Sequence, residues 1–236
     1  RNNANFKCIE ENNGSIPQNT DVMLVLDRSG SIGGAMPTLK TAAHAFVTAM
    51  NPTTDGTHMG QTSFSTTGTL DQELTGTKAL VDAAIDSISP TSLTNLYEGI
   101  LLANQELASA RDRLDATHPD YMIVITDGNP NQPPNETNAR NQAATIAATA
   151  KAAGVKIYVV GVGGVDANYL RDNIASGPSY YYGIANYSEL QAILSQIGTC
   201  PGQPVVINGA CGTAAKTYAY DATGYGSDTF CASGTA

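Results

Sequence analysis

From Val22 to Ser31 the chain reads VMLVLDRSGS. The five apolar residues that end at Leu26 fit a short strand that is buried on both faces, as in parallel sheets. Asp27 ends this strand, small and polar residues follow, and Pro37 suits the first turn of a helix. A strand, a polar loop and a helix therefore follow one another, which is the repeating unit of an α/β protein.

The same alternation continues along the chain. Further strands are expected near residues 60–64, 68–74, 121–125, 155–161 and 180–182, and helices over 37–50, 77–88, 95–114, 135–154 and 188–197. Right-handed crossovers place helices on both faces of a parallel sheet, so we predict an α/β fold that is doubly wound around a mainly parallel sheet. In this architecture, ligands bind in the crevice outside the carboxyl ends of the strands.

Oxygen-bearing side chains follow the two most apolar strands. The first strand leads into Asp27, Ser29 and Ser31, the other leads into Asp127, and Thr94 lies at the start of a long helix. Taken singly, such residues often cap helices or satisfy loop backbones. Taken together they form a set of hard oxygen donors without Cys or His, which suits magnesium, manganese or calcium better than zinc or copper. We predict that these five residues bind one Mg²⁺ or Mn²⁺ ion, with Ca²⁺ also compatible.

Three short segments resemble the metal-ion-dependent adhesion site of von Willebrand factor type A domains and integrin inserted domains. They are Asp27-Arg-Ser29-Gly-Ser31, Thr94 and Thr126-Asp127-Gly128, and the resemblance covers about residues 21–198. It implies a von Willebrand factor A-like, Rossmann-type fold in which the serines and the threonine coordinate the ion directly and the aspartates often act through water. One departure is Ser92-Leu93-Thr94, since many relatives have glycine before the threonine.

The resemblance also implies a function. A cation held by neutral ligands stays electrophilic, and its exposed water is open to displacement by a carboxylate of a partner protein. We therefore predict a non-enzymatic, metal-dependent binding or adhesion module. A structural subunit or spacer of a surface fibre, pilus or layer is the first alternative. A metal-dependent hydrolase is less favoured, because His44, His58 and His118 are isolated and the G-x-S-x-G nucleophile motif is absent.

Composition and charge exclude several kinds of partner. The net charge is −9, and only 12 basic residues are spread along 236 positions, which argues against a nucleic-acid partner. No apolar run approaches the roughly 20 residues that span a bilayer, so we expect no direct membrane insertion. A mild surface rich in Thr, Ser, Asn, Ala and Gly is typical of an extracellular or cell-surface protein.

Four cysteines are present, at Cys8, Cys200, Cys211 and Cys231. They contain no C-x-x-C pair and no His at ligand spacing, so we interpret them as disulfides formed in an oxidising compartment. Three pairings are possible. In a doubly wound fold the first strand starts, and the last helix ends, at the edge opposite the carboxyl-end crevice. This placement favours Cys8 with Cys200 and Cys211 with Cys231.

We divide the chain into three parts. Residues 1–20 are a polar lead-in, and 21–200 form the von Willebrand factor type A-like domain. Residues 201–236 are rich in Gly, Thr, Tyr and Ala, with expected strands at Val205–Ile207 and Thr217–Tyr220. This last part is too small for a core of its own, so we expect a small disulfide-stapled β tail or the start of a following module.

Overall fold

The computed structural model describes residue 16, residues 19–113, 118–132 and 135–198, and the backbone of 205–207 and 216–218. One sheet of six strands lies in this part of the chain: β1 (Asp21–Asp27), β2 (His58–Phe64), β3 (Gly68–Thr75), β4 (Asp120–Thr126), β5 (Lys156–Val162) and β6 (Tyr181–Ile184). The strand order is β3-β2-β1-β4-β5-β6, and every neighbouring pair is parallel except β2 with β3. The predicted doubly wound, mainly parallel sheet is confirmed.

Helices cover both faces of this sheet. They are α1 (Met36–Met50), α2 (Lys78–Ser87), α3 (Leu96–Glu106), α4 (Glu136–Ala152) and α5 (Leu190–Gly198). Successive side chains of a strand point to opposite faces. Leu24 and Leu26 of β1 accordingly pack in the core under α1, α2 and α5, while Met23 and Val25 pack under α3 and α4. Of the helices in the described residues, none is long and apolar enough to cross a bilayer.

Two helix ends differ from the sequence prediction. α3 ends at Glu106 rather than near residue 114, because the buried Glu106 carboxylate accepts hydrogen bonds from Leu74 N at 2.8 Å and from Arg111 Nε at 2.7 Å. The chain must turn to bring Arg111 back to this carboxylate. The last α-helix begins at Leu190 rather than at residue 188, because a short helical turn, Tyr187–Glu189, precedes it and is capped by Asn186, whose Oδ1 accepts from Ser188 N at 3.0 Å.

The end of the chain is described only in part. Val205–Ile207 and Lys216–Tyr218 form a separate pair of antiparallel strands, so the second strand begins one residue earlier than expected. Nothing further is described in the predicted tail. The four cysteines at positions 8, 200, 211 and 231 lie outside the described residues. Their pairing, the disulfide-stapled tail and the three-part division of the chain therefore stay predictions.

Candidate functional site

The site begins where the two central strands end. β1 pairs with β4 in parallel, with Leu26 opposite Ile125, so residues that follow the two strands leave the same edge of the sheet. Asp27 is the last residue of β1, and Asp127 comes directly after β4. Thr126 joins the two strands at this edge, because its hydroxyl donates a hydrogen bond to Asp27 Oδ2 at 2.6 Å.

A chain of hydrogen bonds connects four of the five predicted ligand residues. Asp27 Oδ1 accepts from Ser29 N at 2.7 Å, and the Ser29 and Ser31 hydroxyl oxygens are 3.0 Å apart. Ser31 Oγ in turn donates to Asp127 Oδ1 at 2.6 Å. Asp27 and Ser29 are buried, whereas Ser31 is exposed and Asp127 is half-buried. The cluster is therefore open to solvent on its Ser31 and Asp127 side.

Thr94 approaches the same cluster from the loop before α3. Its hydroxyl oxygen lies 3.0 Å from the point that a Cβ on Gly128 would occupy, and Ser31 Oγ lies 3.8 Å from that point. The two hydroxyls therefore border one small space above Gly128. A side chain at position 128 would enter this space, which explains why glycine follows Asp127. All five predicted residues lie around this point.

Backbone and side-chain hydrogen bonds tie the three loops together. Thr94 N donates to Asn131 Oδ1 at 2.9 Å, and Asn131 N donates back to the Thr94 carbonyl at 3.0 Å. Gly30 N donates to the Ser92 carbonyl at 3.0 Å. The sequence interpretation did not single out Asn131. The sequence feature that could have indicated Asn131 is the Asn- and Pro-rich run after Gly128, because loop asparagines commonly bond nearby backbone groups.

Tyr187 is a second residue that the sequence interpretation did not assign to the site. It begins the helical turn before α5 and is buried. Its buried hydroxyl lies close to Asp127. Burial, and then the charges of Asp127 and Asp27, raise the pKa of Tyr187 well above its ordinary range. The phenol therefore stays protonated and presents a hydrogen-bond donor close to the two carboxylates.

The electrostatics of the cluster favour a bound cation. Burial raises the pKa of Asp27 to about 6, although hydrogen bonds from Ser29 and Thr126 offset part of the rise. Burial also raises the pKa of Asp127. Within the described residues, neither carboxylate has a Lys or Arg among the charges that act on it. Carboxylates that are withdrawn from water without a counter-ion are costly, and a divalent cation would remove that cost.

A second group of carboxylates lies at the opposite end of the sheet and has a different character. Carboxylate oxygens of Asp21, Asp112 and Asp120 lie within 4.8 Å of one another. Here the protein supplies its own cation, since Arg113 Nη2 contacts Asp21 Oδ1 at 2.6 Å. Burial, followed by the charges of Asp112 and Asp21, raises the pKa of Asp120 to about 7. The Arg113 guanidinium offsets part of the negative charge of this group, and the raised pKa keeps a fraction of Asp120 protonated near neutral pH.

Comparison with known sequences identifies the family. The family model of the von Willebrand factor type A domain matches residues 21–196. The chain is 32% identical over 151 residues to a UPF0353 protein of Mycolicibacterium paratuberculosis, covering 60% of this chain and 44% of that protein. It is 26% identical over 193 residues to the mouse (Mus musculus) collagen alpha-5(VI) chain, covering 80% of this chain and 7% of that protein. The chain thus spans less than half the length of these curated relatives.

Solved structures share the fold. One is the vWF domain of the type V pili tip protein Mfa5 from Porphyromonas gingivalis, with a TM-score of 0.64 and 15% identity over 78% of this chain and 95% of that chain. Another is proximal thread matrix protein 1 from the mussel byssus with a zinc-occupied MIDAS motif, with a TM-score of 0.61 and 23% identity over 76% and 44%. The family-model match, with this shared fold, shows that the chain belongs to the von Willebrand factor type A domain family.

Proposed function

We propose that this domain is a divalent-cation-dependent binding module whose cation coordinates an acidic residue of a protein partner. The observation that carries the proposal is the oxygen cluster at the ends of β1 and β4. It contains two carboxylates, three hydroxyls and, in the described part of the chain, no basic counter-ion. A protein keeps two such carboxylates side by side at a cost in stability, and a functional cation accounts for that cost.

The residues that would hold the ion are those predicted from the sequence: Asp27, Ser29, Ser31, Thr94 and Asp127. All offer oxygen, the ligand atom that Mg²⁺ and Mn²⁺ prefer and that Ca²⁺ also accepts. Two carboxylates balance the charge of a divalent ion. The mussel protein with a zinc-occupied motif adds Zn²⁺ to the ions that merit testing.

The open side of the cluster indicates where a partner would bind. Ser31 is exposed and Asp127 is half-buried, so a ligand reaches the cluster from this side. When bound, the cation supplies a Lewis acid that attracts a hard anionic oxygen, and a carboxylate is the commonest such group on a protein surface. The chain's own contribution is to hold the ligand oxygens in place. Thr126 fixes Asp27, and Asn131 fixes the Thr94 loop.

We also propose that the domain has no catalytic turnover. Metal-assisted hydrolysis commonly uses a general base near the metal to activate water. His44 lies on α1 between Asp82 and Asp86 of α2. His58 begins β2 and His118 precedes β4, so both lie at the edge opposite the cluster. Hydrolysis of a phosphoester, peptide or glycan that requires metal and disappears in Asp127→Ala would contradict this proposal.

The relatives favour an adhesion or structural role outside the cell. Their names include a collagen chain, a pili tip protein and a thread matrix protein of the mussel byssus. We propose an extracellular or cell-surface location on this basis. A structural subunit or spacer of a surface fibre, pilus or layer is the second candidate, since a collagen chain and a thread matrix protein are among the similar proteins. In that role the cation would only stabilise the loops.

Titration calorimetry on the chelator-treated protein tests the cation site. We expect one Mg²⁺ or Mn²⁺ ion to bind, and both Asp27→Ala and Asp127→Ala to abolish binding while circular dichroism shows a folded domain. Asp172→Ala is the matched control, because it removes one exposed carboxylate that pairs with Arg171. Undiminished titration in both cluster variants would refute the site.

A second measurement separates adhesion from a spacer role. In an adhesion module, chelator abolishes binding to a purified partner or surface at a temperature at which the cation-free domain is still folded. In a spacer, chelator lowers the melting temperature and leaves assembly contacts intact.

A further inference from the structure

Two large apolar side chains are exposed in the described part of the chain, Leu80 at 48% and Leu93 at 39%. Leu80 lies on α2. Leu93 lies in the loop before α3 and immediately precedes Thr94, whose hydroxyl borders the oxygen cluster. Consecutive Cα atoms are about 3.8 Å apart, so Leu93 is the direct neighbour of a proposed cation ligand.

Hydrogen bonds fix the backbone on both sides of Leu93. Before it, the Ser92 carbonyl accepts from Gly30 N at 3.0 Å, and Ser92 has a φ of 52°, a left-handed conformation that non-glycine residues seldom adopt. After it, Thr94 N donates to Asn131 Oδ1 at 2.9 Å. The backbone on each side is therefore fixed by another loop of the cluster. The exposure of Leu93 is a property of this fixed geometry, and such preorganised groups lose little entropy on binding.

The rest of the exposed rim is small and uncharged. Its exposed residues in loops around the cluster are Gly30, Ser31, Gly33, Gly34, Thr91, Ser92 and Asn131. The basic residues nearest in sequence to these loops have other partners: Arg28 Nε donates to Ser63 Oγ at 3.1 Å, Lys40 Nζ donates to the Asp86 carbonyl at 2.7 Å, and Arg140 pairs with Asp166 at 2.7 Å. Within the described residues, a ligand on the cation would thus meet a neutral rim with one large apolar side chain.

We infer that Leu93 is a specificity-determining residue, and that the partner's carboxylate is flanked by an aliphatic or aromatic side chain that packs on it. The inference rests on the proposed cation-dependent function. A carboxylate held at the cation would bring the neighbouring side chain of the ligand to the loops around the cluster, and in these loops Leu93 is the exposed large apolar side chain. Apolar contact there removes surface from water on both molecules. Additional acidic residues in the partner would meet Asp127 and gain no basic partner, so they are disfavoured.

Short capped peptides test this inference with the intact chain. The probes are Gly-Ser-Leu-Glu-Ser-Gly and Gly-Ser-Glu-Leu-Ser-Gly, each compared with Gly-Ser-Ser-Glu-Ser-Gly, and binding is followed by NMR titration in saturating MgCl₂. We expect at least one leucine peptide to bind about tenfold more tightly than the serine peptide, the ratio given by burial of one aliphatic side chain. A peptide with Gln in place of Glu reports the contribution of the carboxylate.

Two leucine variants provide the decisive comparison. Leu93→Ala should bring the leucine and serine peptides within about twofold of each other and leave Mg²⁺ affinity unchanged. Leu80→Ala removes the same atoms from another exposed position and should leave the about tenfold preference intact. An unchanged Mg²⁺ affinity in calorimetry of each variant would show that the loop geometry is preserved.

The outcomes separate this inference from the proposed function. If glutamate peptides bind only with Mg²⁺ but show equal affinity for leucine and serine versions, the role of Leu93 is wrong and the cation-dependent function stands. The same conclusion follows if Leu93→Ala retains the preference. If no glutamate peptide binds in Mg²⁺, or if binding survives chelator or the change to Gln, the proposed function is refuted together with the inference.

Discussion

The substitution Asp27→Asn should stabilise the cation-free domain while it removes cation binding. Asp27 is buried, has no basic partner among the described residues, and has its pKa raised to about 6, chiefly by burial. At neutral pH without metal, the folded domain must therefore keep an unfavourable charge in its interior. An amide of the same shape removes this charge.

The hydrogen bonds around position 27 can accept the amide. The side-chain oxygen of the variant can accept from Ser29 N, as Asp27 Oδ1 does at 2.7 Å. Its NH₂ group can donate to Thr126 Oγ1, which now lies 2.6 Å from Asp27 Oδ2. The Thr126 hydroxyl can then donate to the Gly128 carbonyl at 3.2 Å. No buried polar atom in this network is left without a partner.

The expected gain in the free energy of unfolding follows from the pKa of Asp27. A rise from 3.8 to about 6 corresponds to about 3 kcal/mol, at about 1.36 kcal/mol per pKa unit. Because the folded state binds this proton more tightly than the unfolded state, wild-type stability falls as pH rises from about 4 to about 6 and is then level. The D27N variant lacks that fall. Loss of charge-assisted hydrogen bonds offsets part of the gain, so we expect about 1–3 kcal/mol.

Urea unfolding in chelator measures this effect at pH 4 and pH 8. We expect similar free energies of unfolding for wild type and D27N at pH 4, and a more stable variant at pH 8. Calorimetry of the same variant should show no Mg²⁺ binding. Asp172→Asn, on an exposed pair with Arg171, is the control and should change neither quantity. A wild type that is at least as stable as D27N at pH 8 in chelator would refute the reasoning.

Three further substitutions test other parts of the structure. Asn131→Ala removes the acceptor of the Thr94 amide, and calorimetry should show about tenfold weaker cation binding. Asp120→Asn removes a half-buried carboxylate whose pKa is raised to about 7, so urea unfolding should show a gain of about 1–2 kcal/mol at pH 8, allowing for solvent screening, and little gain near pH 4. Gly99→Ala places a Cβ 2.5 Å from the buried ring of Phe64, and thermal unfolding should show a loss of about 1–2 kcal/mol after the gain in helix propensity.

Each of these expectations has a clear contrary result. Unchanged cation affinity in Asn131→Ala would mean that the Thr94 loop keeps its position without the side-chain contact. A destabilised Asp120→Asn at pH 8 would mean that the charged form of Asp120 is favoured by its surroundings. An unchanged or higher melting temperature in Gly99→Ala would mean that α3 and Phe64 shift apart at little cost.

The sheet and the convergence of the predicted oxygen-bearing residues could be predicted from the sequence because both depend on local patterns. Val22–Leu26 and Tyr121–Ile125 are apolar runs that end in oxygen-bearing residues, and parallel pairing places such strand ends at one edge. Asp27 and Asp127 therefore meet although they are far apart in the chain. The fold of residues 21–196 is confirmed on these grounds together with the family match.

Helix ends and supporting contacts could not be predicted in the same way, because they depend on distances between loops. The helical pattern continues beyond Glu106, but a buried carboxylate that requires Arg111 ends the helix there. Tyr187 carries no pattern that points to the cluster, and the Asn- and Pro-rich run around Asn131 indicates a loop but not its contact with Thr94. Their roles follow from hydrogen-bond geometry and burial, which exist only after the three loops meet.

The sequence by itself determined the alternation of strands and helices, the edge at which Asp27 and Asp127 emerge, and the oxygen-bearing side chains that follow the two central strands. Only the tertiary structure decided which of these oxygens are open to solvent, which residues hold the Thr94 loop, and that Leu93 stays exposed beside it. The physical reason is the range of the forces involved. Apolar periodicity acts through neighbouring residues along the chain, whereas burial and hydrogen bonding between loops depend on atoms that only the complete fold brings together.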